Sequence, residues 1–382
     1  MTDLQQSTPK AGAESRWAGL DHIRALAAFM VFTWHFTHGA NASPVPLEGA
    51  PTFPFAALFD EGHAGVALFM CLSGYLFAAL LDGKEIHFPK FIIARVLRLA
   101  PLLVFLFVVD FVILLATGGS VIGFVRNLIS GFVLPRWPNG RWSIGIELQF
   151  YLLLPFLLGV RGRFPMALPL MVVGALLMRA ALFIYFGTVE HWAYSTLIGR
   201  IDQFILGIAI FDYRLFFKGR HGLAAATASI LGIAYYLFDA AGGFFGYKSW
   251  PSQESLWIWW PTFEAITFAI LIAYYATTFS PRGRFSDALS KVGFYSYGIY
   301  LIHFYFVFAA AEWINSSLIA LDNFYVAWAV SLPVFLAMVA PAWAAYHIIE
   351  KPLQKYKPRY VLARPITKPA MDSSVFPVAD AQ

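Results

Sequence analysis

The chain has 382 residues, 59% hydrophobic and only 13% charged, about half the charge of an ordinary soluble domain. That composition excludes a soluble enzyme or binding module and describes a polytopic membrane protein. The single cysteine, Cys71, excludes an internal disulfide framework and sits in an apolar run as a packing residue, and the formal net charge of +5 matters through its distribution over the loops.

Residues 1–17 are polar and lack the apolar core of a cleavable signal, so they are expected to form a cytoplasmic tail, with the first hydrophobic helix as an uncleaved anchor. Windows of about 20 residues predict ten spans within 18–352, at roughly 18–38, 63–81, 97–116, 142–160, 166–186, 200–217, 223–241, 256–279, 294–312 and 324–347. The expected fold is therefore all-α, a helical bundle with both ends on one side. Between the first two spans, Gly39 to Glu61 holds several prolines and no Lys or Arg, which suits an ordered or semi-extended external lid. Gly118 to Arg141 contains the apolar NLISGFVL, too short to span, and reads as re-entrant or interfacial. Residues 353–382 are expected to be a largely disordered cytoplasmic tail, from Arg364 onward above all.

If the shared side of the ten spans is the cytoplasm, it holds 20 of the 27 Lys and Arg, against five on the other side. The positive-inside bias thus predicts N-in, C-in topology.

The first span, LDHIRALAAFMVFTWHFTH, carries Arg24 and His35 inside an apolar run. Ionisable groups at membrane depth are costly unless they face a partner or a wet cavity. Eleven residues apart, the two lie within roughly 20° of one face and about 16 Å apart along the axis. A neutral His35 can serve as a general base toward a hydroxyl; equally, it can satisfy a backbone carbonyl while Arg24 snorkels, helped by Asp21. Ser73 and Gly74 interrupt the aromatic-rich second span, where small residues admit a second backbone or a ligand. Arg95 and Arg98, at i and i+3, form one cationic face, suited to a phosphate or simply to the inner surface.

Glu147 lies in the fourth span below Trp142 and Ser143 and needs a partner, with Arg24, Arg141 or His35 as candidates. Arg200 and Asp202 open the sixth span, His303 lies within the ninth, and Glu350, Lys351 and Pro352 mark a helix end. Trp137, Trp250, Trp257, Trp259 and Trp260 fall near the predicted outer surface, where tryptophan serves the interface more often than it stacks on sugars.

In order, RALAAFMVFTWH, GVALFMCLSGY, RVLRLAP, WSIGIELQFYLLLP, YSYGIYLIH and EKP resemble the acyltransferase 3 family of membrane enzymes, from about Gly19 to Pro352. Arg24 and His35 meet the family's arginine, ten residues, histidine motif, and Trp142, Ser143 and Glu147 its tryptophan-serine-glutamate motif. The family's usual acidic residues are replaced by Ala67 in the second span and by Leu148 after Glu147, departures that bear on subfamily and acceptor.

The resemblance implies transfer of an acyl group, most often acetyl, from cytoplasmic acyl-CoA to a hydroxyl of a cell-surface or lipid-linked glycan, at a bacterial inner membrane. It implies His35, Arg24 and Glu147 as catalytic residues and Ser73, Trp142, Ser143, Arg95, Arg98 and His303 as substrate-binding residues. Glu147 would orient His35 or pair with Arg24. Acyl-CoA is the expected donor, with no metal and no nucleic-acid partner; where transfer needs a periplasmic partner, it is expected to be separately encoded. A transporter or flippase using Arg24, Glu147 and His303 as a path is the alternative, and a scaffold without turnover a third.

Overall fold

In the computed structural model, residues 11–39, 45, 49–164, 166–246 and 253–362 are described, 11–17, 245 and 246 by backbone alone. Trp250, the first ten residues and the tail beyond 362 lie outside the described residues.

The structure is nearly all-α. Its helices are α1 (Ala11–His38), α2 (Pro54–Asp60) and α3 (Ala64–Leu81), then after a two-residue strand β1 (Glu85–Ile86), α4 (Phe88–Ala116), α5 (Val121–Ser130), α6 (Trp142–Arg163) and α7 (Ala167–Phe186). There follow α8 (Glu190–Ser195), α9 (Leu197–Asp212), α10 (His221–Ala240), α11 (Gly243–Gly246), α12 (Leu256–Thr278), α13 (Arg284–Phe294), α14 (Ser296–Ile302), α15 (Val307–Ser317), α16 (Phe324–Ala337), α17 (Val339–Ala345) and α18 (Lys351–Gln354). A second strand, β2 (Val361–Leu362), pairs antiparallel with β1.

Each of the ten predicted windows falls on a helix or helix pair. Seven of these helices are long and apolar enough to cross a membrane, or eight when the bent pair at 296–317 counts as one span. α9 is too short, at 16 residues, and α1 carries Asp21, His22 and Arg24, so neither passes on apolarity alone. Both are enclosed by other helices: α9 by α3, α6, α7 and α12, α1 by α3, α12, α13 and α16. Rows of apolar side chains face outward on the peripheral helices, such as Val104, Val108 and Val112 on α4 and Leu170, Val173 and Leu177 on α7. Such a surface needs hydrocarbon around it, and the chain is a multi-pass membrane protein.

α4 begins nine residues before its predicted start. Its 29 residues span roughly 43 Å, more than the about 30 Å of hydrocarbon that a span must cross. α5 has no buried residue and exposes Ile122 and Ile129, as a helix lying on the bundle's surface does.

α3 and α9 cross where glycines face backbone reciprocally. A Cβ on Gly74 would lie 2.1 Å from the Phe204 carbonyl oxygen, and one on Gly207 2.1 Å from that of Cys71. Gly74→Leu is therefore expected to exceed the about 1–3 kcal/mol that overpacking usually costs. Extractable, monodisperse protein should fall to near background on size-exclusion chromatography, whereas Ser73→Ala next to it leaves the yield unchanged. A normal yield of Gly74→Leu would show that the crossing tolerates separation.

Candidate active site

The end of the bundle that carries the β1–β2 pair opens into a cavity of about 360 Å³. It is lined by four cations, Arg24, Arg95, Arg98 and Lys357, and one carboxylate, Glu147. Arg24 comes from α1, Arg95 and Arg98 from α4, Glu147 and Ser143 from α6, Ser73 from α3, and Tyr297 and Tyr300 from α14. Arg24, Ser73, Arg95, Arg98, Ser143 and Glu147, six of the nine residues singled out in the sequence, thus surround one space.

The cations are held differently. Arg24 pairs with Asp21 one turn earlier on α1. Arg95 donates from Nη2 to the Tyr360 hydroxyl at 3.0 Å, and its guanidinium lies 5.3–5.5 Å from the Phe77, Phe91 and Tyr360 ring centres, an aromatic box worth about 0.5–2 kcal/mol per cation–π contact. Arg98 makes no hydrogen bond or ion pair among the described residues. Glu147 accepts the hydroxyl of Tyr151 on its own helix, so its direct partner is neither Arg24 nor His35. Arg141, the other candidate for it, pairs instead with Asp110 and Tyr305.

The inner end of the cavity is closed by Ser143 and Tyr300. The two hydroxyls lie 2.7 Å apart, and that of Tyr300 donates to the Gly140 carbonyl at 3.0 Å. Behind this layer come the two histidines. The Tyr300 and His303 ring centres are 5.8 Å apart, and those of His303 and His35 5.1 Å.

His303 sits where α14 gives way to α15 through a 59° bend. Its Nδ1 donates to the Tyr300 carbonyl at 2.6 Å, and its Nε2 is buried without a partner. His35 Nδ1 lies 2.8 Å from the Val31 carbonyl oxygen. A carbonyl only accepts, so Nδ1 carries the hydrogen and Nε2 keeps its lone pair. The His35 ring is packed edge-on against Phe304, 4.4 Å between centres, which fixes the direction of that lone pair.

His35 and His303 therefore adjoin the cavity without lining it. Trp142 turns away: its ring packs 5.0 Å from that of Tyr194, with the Arg200 guanidinium 5.8 Å from its centre. Arg200 and Asp202 belong to a buried network on that side, where Asp202 pairs with Arg179 and Arg200 lies 3.9 Å from Glu264.

Nearby, between α2 and α3, Glu61 lies 3.1 Å from His63 Nε2 at an angle that makes no hydrogen bond. Burial pushes the Glu61 carboxyl up to about 7, opposed by His38 and the Phe244 N–H.

Residues 353–362, where the expected tail begins, contain a helix end and a strand. α18 continues the last long helix, and β2 returns to β1, with the His87 N–H donating to the Tyr360 carbonyl at 2.8 Å. Lys357 and Tyr360 thereby become cavity residues. Among the described residues no cluster of three or more His, Cys, Asp or Glu could hold a metal ion.

A family model described as "Acyltransferase domain" matches residues 17–347. The "Putative peptidoglycan O-acetyltransferase YrhL" of Bacillus subtilis (strain 168) is 28% identical over 382 aligned positions, 88% of this chain and 54% of that protein. A "Putative O-acetyltransferase" of Staphylococcus aureus (strain COL) is 23% identical over 90% of this chain and 59% of its own length. "Nodulation protein 10" of Rhizobium leguminosarum bv. viciae is 31% identical over 41% of this chain and 48% of its own length. The chain spans about half the length of these curated relatives, and no solved structure matches it. With that domain matched along 17–347, the chain belongs to the acyltransferase 3 family.

Proposed function

We propose that this protein transfers an acyl group, acetyl in the simplest case, from acyl-CoA on the cytoplasmic side to a hydroxyl of a cell-surface or lipid-linked glycan. The carrying observation is a cavity lined by four cations and one carboxylate whose closed end adjoins a histidine with a free Nε2 lone pair. Ten spans in a bacterial inner membrane, with both ends of 18–352 inside, put the cationic mouth where acyl-CoA is made. α1 and α9 count among the ten because their polar residues are enclosed by other helices rather than lipid.

On this reading Arg95 and Arg98 bind the nucleotide phosphates, since guanidinium meets phosphate in a fork. The pantetheine arm runs along the α1 stripe, whose roughly 16 Å between Arg24 and His35 compares with the arm's reach. For the thioester to meet His35, the Ser143–Tyr300 layer must part. The acceptor oxygen then attacks the thioester carbonyl carbon as its proton passes to His35 Nε2. When the carbon–sulfur bond breaks, His35 returns that proton to the CoA thiolate. Neither Ser73 nor Ser143 hydrogen-bonds a base, and Ser143 is engaged by Tyr300, which favours direct attack over an acyl-enzyme.

Purified protein in liposomes, with labelled acetyl-CoA outside its cationic face and a glycan acceptor inside, is expected to acetylate the acceptor and release free CoA stoichiometrically. Movement of the glycan without consumption of acetyl-CoA would instead establish the transporter reading.

A further inference from the structure

We infer that the C-terminal strap, residues 355–362, is part of the donor site, with Lys357 supplying a phosphate contact to CoA and the β1–β2 pairing holding it over the cavity mouth. The inference rests on the donor assignment above and extends it to a segment outside the membrane helices.

Three observations carry it. First, the strap is fastened on both sides of Lys357. α18 precedes it, β2 pairs with β1 in a set register, Glu85 opposite Leu362 and Ile86 opposite Val361, and Tyr360 is bound through both its carbonyl and its hydroxyl. Second, Lys357 and Tyr360 line the same cavity as Arg95 and Arg98. Tyr360 does so by closing the aromatic box around the Arg95 guanidinium, whose buried Nε has no partner.

Third, Lys357 faces cations rather than acids. Arg95 and Arg98 on α4 are its charged neighbours, Tyr360 is its ring neighbour at 5.9 Å, and it makes no ion pair among the described residues. Burial, then the two arginines, bring its ammonium down to about 8. The acids nearest this group are Glu147, which shares the cavity and accepts from Tyr151, and Glu350, which faces Arg98; neither pairs with Lys357, so the three cations still repel one another and a polyanion in their midst relieves that repulsion. The 3′-phosphate and diphosphate of CoA form such a polyanion; acetylpantetheine has no phosphate to offer.

The test is binding to purified, detergent-solubilised full-length protein, with CoA and acetylpantetheine as probes. Lys357→Ala is expected to weaken CoA about tenfold, as loss of one charge-assisted contact does, and to leave acetylpantetheine competition unchanged. Lys357→Arg should retain wild-type affinity.

The pH profile gives a second readout. The contact needs the ammonium, so the wild type should hold CoA best below about pH 8 and lose affinity above it, while Lys357→Arg stays flat to higher pH. Equal weakening toward both probes, or unchanged CoA affinity in Lys357→Ala, would overturn the strap's role while leaving the donor assignment standing. A wild type that binds no CoA overturns the donor assignment, and the strap's role with it.

Discussion

Replacing His35 by alanine is expected to abolish acyl transfer while the protein stays in the membrane at normal abundance. Positioned proton transfer is worth about 10²- to 10⁴-fold in rate, and no neighbour can replace it in place. His303 is the nearest candidate and likewise holds its Nδ1 on a carbonyl, but its Nε2 is fully buried, whereas His35 is only part-buried. The structural cost is small, because His35 bonds only within its own turn, to Val31, and is packed by Phe304 and Phe308 rather than by a network. Initial rates with labelled acetyl-CoA should therefore drop by at least two orders of magnitude at unchanged yield and unchanged CoA affinity. His35→Gln, which keeps a similar volume but offers no base, should fail equally. Transfer by His35→Ala within tenfold of wild type would remove His35 as the base.

Eight of the ten windows, with the bent pair counted as one, were legible because a membrane helix announces itself by length and apolarity. The other two windows fall on α1 and α9, which other helices enclose. Helical spacing carried part of the site as well. Ser143 and Glu147, four apart, share a face and both reach the cavity. Trp142 and Glu147, five apart, are rotated about 140° from each other, and Trp142 accordingly points into the Arg200 network. A motif read as one unit thus divides between two environments.

What the sequence concealed is long-range. Lys357 and Tyr360 lie in a polar stretch with no apolar period, and a two-residue strand pairing across 275 positions leaves no local trace. Glu147 needed a partner, as its depth implied, but found it in Tyr151 on its own helix, while Asp21 took Arg24. Arg179 was only a charge within a span until α9 and α12 folded against it.

That last arginine carries a large expected effect on stability. Arg179 and Asp202 are both fully buried, 2.8 Å apart, and join α7 to α9. Arg179 also donates to the Ile258 carbonyl at 2.6 Å and to the Gly199 carbonyl at 2.7 Å, while Thr262 bridges the pair from α12. Asp202→Ala leaves the guanidinium in place with neutral acceptors only, and arginine cannot shed its proton to escape. Breaking a buried pair in this way costs about 3–5 kcal/mol, enough to deplete folded protein several-fold in cells. The double substitution Arg179→Met, Asp202→Leu removes both charges and restores apolar volume, so it should regain most of the lost yield. Because the network lies apart from the cation-lined cavity, the protein recovered from the double variant should bind CoA as the wild type does. Wild-type abundance of Asp202→Ala would show that the pair does not hold the three helices together. Recovery of yield without CoA binding would couple it to the donor site instead.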